Sequence, residues 1–178
     1  MNTIYEKLDE KAYKLLERSG AISTPVDLDK VSDHLGLAVV EKQLEEEFSG
    51  FLAVKEKTIV INAQHSRVRR RFTTAHEIGH YFLHRKSQQD TSVFIDRTVY
   101  YRRQNLDDAD RRIELEANRF AAGLLMPRDL LESYLDESPS LNLGKSSEIK
   151  ILADEFEVSR SAMEYRLQNL GFILKTSV

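Results

Sequence analysis

Two histidines four residues apart, His76 and His80, enclose a glutamate at Glu77 in the run His76-Glu77-Ile78-Gly79-His80. On a helix, residues four apart are about 40° from each other, so the two imidazoles leave one face on successive turns and can share a metal ion. Glu77 lies about 100° round the helix. There its carboxylate can serve a water at the metal without ligating the metal, which is the placement a general base needs. Gly79 costs roughly 1 kcal/mol in a helix interior, which points to close approach of another backbone.

A catalytic zinc takes three protein ligands and keeps one position open. His84 extends the histidine stripe, but His76 to His84 spans about 12 Å of helix rise, too far for one ion. A second helix is the better source. Glu114-Leu115-Glu116-Ala117-Asn118 offers Glu114 as the third ligand, with Asn118 four residues on along the same face to hydrogen-bond a ligand imidazole. Glu116 faces elsewhere and is the runner-up ligand. With no cysteine in the chain, the ligand set is restricted to nitrogen and oxygen, which suits zinc.

These residues need rigid elements behind them. Apolar residues at helical spacing (Val68, Phe72, Ala75, Phe82, Leu83) predict a long helix from about Ser66 to Arg85. Ile113, Ala117, Phe120, Ala121 and Leu124 predict a second, capped at Asp107 or Asp108 and stopped by Pro127. Upstream, two helices are expected, one around Leu8, Ala12, Leu15 and Leu16, the other capped by Asp27 and closed by Gly36. A strand at Leu37 to Val40 precedes a hairpin, Phe48 to Val54 and Thr58 to Asn62, whose edge could take an extended substrate. Lys86 to Leu106 reads as an irregular strand or ordered loop, and Leu130 to Leu135 as a short helix.

Beyond the linker-like Ser138 to Gly144, a break at Val158-Ser159 separates two short helices in the rhythm of a helix-turn-helix, with Ser159 as a cap. From Gly144 onward five Lys/Arg face five acids, so structural or protein-docking use is favoured over DNA binding. Arg69-Arg70-Arg71 opens a helix, where cations oppose the macrodipole, and neutralising partners are expected. Oxyanion stabilisation could fall to His84, Tyr100, Tyr101, Arg102 or Arg103.

Together, Phe72 to His84, Glu114 to Ala121 and Leu124-Leu125-Met126-Pro127 resemble the ImmA/IrrE family of zinc metallopeptidases over roughly residues 20 to 130. The resemblance implies a gluzincin-like site, with His76, His80 and a downstream glutamate on zinc and Glu77 as base. It also implies a protein substrate, a helix-turn-helix transcriptional repressor of a mobile element, prophage or stress response. The expected fold is α+β: a mainly helical, zincin-like domain over residues 1–137 with a small antiparallel sheet, and a helix-turn-helix-like subdomain over 138–178.

Composition sets the outer bounds. The chain of 178 residues is 41% apolar and 31% charged, enough for one main core. It shows neither a membrane-spanning run nor a secretory leader, so a cytoplasmic location is expected. The net charge of −3 argues against whole-protein attraction to nucleic acid, yet residues 63–103 carry nine Lys/Arg against three acids.

Overall fold

In the computed structural model, which describes residues 4–85, 93–97 and 108–174, helix α1 (Ile4–Ser19) buries Leu8, Ala12, Leu15 and Leu16. Each such side chain contributes about 1.5–3 kcal/mol when fully buried. Helix α2 (Leu28–Leu35) starts where the Asp27 carboxylate accepts from the backbone N–H groups of Asp29 and Lys30, both at 3.1 Å. It ends at Gly36, whose φ of 67° is left-handed backbone that glycine enters without a Cβ penalty.

Strands β1 (Ala38–Lys42), β2 (Phe48–Ala53), β3 (Thr58–Asn62) and β4 (Val93–Arg97) form one sheet in the order β1-β3-β2-β4. The expected hairpin is present, with Phe51 opposite Val60 and Leu52 opposite Ile59, and β4 extends it antiparallel along β2. The sheet as a whole is mixed rather than antiparallel, because β1 pairs with β3 in parallel. Insertion of β3 between β1 and β2 gives β1 a neighbour running in its own direction. Both hairpin strands are therefore internal, so the hairpin edge expected to receive a substrate strand is already filled on either side.

Helix α3 (Arg67–His84) lies on this sheet and is buried without interruption from Thr73 to Tyr81. Its amino-terminal arginines find the partners that their position at a helix start demands. Arg67 and Arg71 meet Glu157 at 2.7 and 3.3 Å, Arg70 pairs with Glu41, and Arg69 donates to Ser49 Oγ at 3.1 Å. Helix α4 (Asp108–Leu125) covers the other side of α3 through Ala117, Phe120, Ala121 and Leu124, all fully buried.

Helices α5 (Arg128–Glu137), α6 (Ser146–Glu155) and α7 (Arg160–Leu170) follow. Ser159 caps α7 by accepting from Ala162 N–H at 3.1 Å, and Glu157 takes a positive φ of 51° in the turn between α6 and α7. Phe156, Met163 and Leu167 are buried in a cluster that runs without a break from α1 to α7. Arg166 on α7 is buried with them, bonded to both Asp9 carboxylate oxygens at 2.9 and 3.0 Å and to the Met126 carbonyl at 2.9 Å. Arg119 on α4 reaches the same Asp9 at 3.3 Å. Among the described residues, no helix is long and apolar enough to cross a membrane.

Candidate metal centre

Helices α3 and α4 pack against each other, and their facing side chains form successive rungs. His76 faces Asn118 and Glu114, His80 faces Glu114, and His84 faces Glu116. Between these rungs the backbones come close. A Cβ on Gly79 would stand 3.1 Å from the Ala117 carbonyl oxygen and 3.3 Å from the Ala117 Cα. The glycine that is unfavourable for a helix in isolation thus sets how near α4 can bring its side chains to α3.

At the middle rungs three donor groups converge. His76 Nε2 and His80 Nε2 are 2.9 Å apart, and the two carboxylate oxygens of Glu114 lie 3.3 Å from one ring nitrogen each. One donor atom from each residue falls within 4.8 Å of the others, close enough to hold a metal ion. His76 Nδ1 lies 3.0 Å from Asn118 Oδ1, so in the tautomer that donates from Nδ1 to this oxygen the Nε2 lone pair is the one directed into the cluster.

The protonation states suit ligation, which requires neutral imidazole and ionised carboxylate. Burial, reinforced by the neighbouring histidines, pushes His80 down to about 4, against the opposing pull of Glu114. For Glu114, burial acts to raise the pKa, but the close ring nitrogens of His76 and His80 outweigh it and hold the carboxyl well below the usual range. Both imidazoles are 2% exposed, whereas the Glu114 side chain retains 25%, so the cluster opens to solvent on the α4 side.

Glu77, in the same turn of α3, is completely buried. Asn118 stands beside His76 as its position four residues after Glu114 anticipates. Glu116 is not among the converging donors, since its carboxylate turns to His84 at 3.8 Å. His84 is buried, and its pKa is lowered chiefly by that burial. Of the other candidates for oxyanion stabilisation, Tyr100, Tyr101, Arg102 and Arg103 lie outside the described residues, as does most of Lys86 to Leu106 apart from β4.

The inward-facing Arg166 is not marked in the sequence, where it enters only as one of the five Lys/Arg that balance the acids of the carboxy-terminal segment. Nothing local betrays it, because its carboxylate partner is 157 residues away.

Comparison with known proteins reaches the same region of the chain. A family model for the IrrE N-terminal-like domain, peptidase family M78, matches residues 32–168. An uncharacterized immunity region protein 2 of Bacillus phage phi105 is 29% identical over 159 residues, covering 85% of this chain and 92% of that protein. Among solved structures, a Mycobacterium tuberculosis transcriptional regulator aligns with a TM-score of 0.63 at 18% identity, over 91% of this chain. The chain spans 46% of that regulator's length, and the likeness is one of fold.

Proposed function

As a member of peptidase family M78, the IrrE N-terminal-like group, the protein is, we propose, a zinc-dependent endopeptidase that hydrolyses a peptide bond in a regulatory protein. The observation that carries this reading is the convergence of His76, His80 and Glu114 beside the buried Glu77. His76 Nε2, His80 Nε2 and a Glu114 oxygen would hold the ion, with one position left for substrate or water. Zinc held there supplies Lewis acidity, which acidifies water and polarises a carbonyl.

The rest of the chemistry belongs to the chain. Glu77 takes the proton from the attacking water and passes it to the leaving amine, as its place one residue after His76 allows. Asn118 keeps His76 in the tautomer and orientation that ligation requires.

For the substrate, the relative named as a phage immunity region protein supports a transcriptional repressor with a helix-turn-helix, made alongside this protein. The α6–α7 pair serves to buttress the peptidase core rather than to read DNA, a view supported by the burial of Arg166. The test is co-expression of this protein, or its Glu77→Gln variant, with the repressor encoded beside it. Cleavage is expected from the native chain and a loss of about 10²–10⁴-fold in rate from the variant, with zinc still bound. Equal cutting by both would remove Glu77 from the mechanism.

A further inference from the structure

The third histidine of the stripe does not join the donor cluster, yet it is buried and engaged on two sides. His84 sits in the last turn of α3 at 6% exposure, its ring hydrogen-bonded to the Ile113 backbone and its Nε2 3.8 Å from Glu116 Oε2. Ile113 and Glu116 bracket Glu114 in sequence. His84 therefore grips α4 at the turn that carries the third metal donor.

That turn needs a restraint. Residues 108–112 of α4 are all exposed, and the first buried residue of the helix is Ala117. Helix starts fray, because the first N–H groups have no partner within the helix. Downstream of Glu114 the position is secured by the close backbone contact of Gly79 with Ala117 and by the Asn118 to His76 bond. On the amino-terminal side of that turn, His84 reaches α4 through Ile113 and Glu116.

A direct ligand role does not suit the geometry. The His84 ring centroid lies 5.8 Å from that of His80, against 4.5 Å between His76 and His80. We propose that His84 is a positioning residue for the metal centre, holding the Ile113 to Glu116 turn against α3 so that Glu114 meets His76 and His80. The proposal rests on the metal-site reading above.

The test is a zinc titration of the full chain against a chromogenic chelator, with folding followed by circular dichroism. It compares the native protein with His84→Ala, His84→Gln, Glu114→Ala and the double variant Glu114→Ala/His84→Ala. His84→Ala should weaken zinc binding by about 10–100-fold, the loss typical of residues that orient metal ligands. His84→Gln, which can still donate to the Ile113 carbonyl, should regain most of it. In the Glu114→Ala background His84→Ala should add no further loss, since a residue that acts through Glu114 has nothing left to position.

Equal zinc affinity in His84→Ala and the native chain would overturn the proposal and leave the metal site standing. So would an undiminished His84 effect without Glu114, because that pattern belongs to general loss of stability. Should alanine unfold the chain, His84→Gln and His84→Phe carry the comparison. Glutamine must then keep the affinity and phenylalanine, bulky but with no donor, must lose it; equal behaviour of the two counts against the idea. Failure of the metal-site reading is separately visible, as absence of zinc binding by the native protein.

Discussion

Gly79→Ala is the smallest change that should disturb both the core and the metal centre. On a free helix the substitution stabilises by roughly 1 kcal/mol. Here the added methyl would lie 3.1 Å from the Ala117 oxygen, 3.3 Å from its Cα and 3.4 Å from Phe120 Cδ1. Two of these three atoms are backbone, so no change of rotamer relieves the contact. Ala117 and Phe120 are fully buried, and α4 can retreat only by opening the core behind it.

Overpacking of this kind costs about 1–3 kcal/mol. Set against the propensity gain, the net effect is a destabilisation of about 1 kcal/mol, or roughly 2–4 °C in Tm for a chain of this size. Zinc affinity should respond more strongly than Tm. The same separation of α3 from α4 lengthens the rungs on either side, His80 with Glu114 and His76 with Asn118. A loss of about 10-fold or more in zinc affinity follows, on the scale of disturbed ligand-orienting contacts. Thermal unfolding of the metal-free protein and zinc titration of the folded protein measure the two effects. A variant with raised Tm and native zinc affinity would refute the close-packing explanation of this glycine.

Two other substitutions separate the metal centre from the scaffold. Asn118→Ala removes the acceptor for His76 Nδ1–H and should weaken zinc binding about 10-fold with little change in unfolding temperature; unchanged affinity in the chelator competition would show that His76 is oriented without it. Asp9→Asn keeps the shape but leaves Arg166 buried without its carboxylate, and should cost about 3 kcal/mol in urea unfolding while the folded fraction binds zinc normally; a loss under about 1 kcal/mol would mean that the pair is replaceable.

What could be read from the sequence was local in origin. His76, Glu77 and His80 announce themselves because a four-residue spacing becomes a spatial relation as soon as the segment is helical. Glu114 and Asn118 are reached by one further step, since a metal on the two histidines would need a donor from outside that helix. The partners of His84 were hidden because a histidine stripe on a helix does not say which ring looks at the neighbour's backbone. The parallel seat of β1 was hidden for another reason. All five of its residues are exposed, so no alternation of apolar and polar side chains marks its register or its neighbour.

The bond between Asp9 and Arg166 ties the first helix to the last, and this has a consequence for how the protein comes into being. At translation speeds of about 5–20 residues per second, roughly 8–30 s separate the synthesis of the two residues. Met126, whose carbonyl shares the Arg166 guanidinium, also waits for it. Arg119 reaches Asp9 earlier, so α1 can meet α4 and the histidine helix while the closing cation is still unmade. The half that carries His76, His80 and Glu114 can therefore begin to pack before the Asp9 to Arg166 bond exists, and that bond forms only when α7 has left the ribosome.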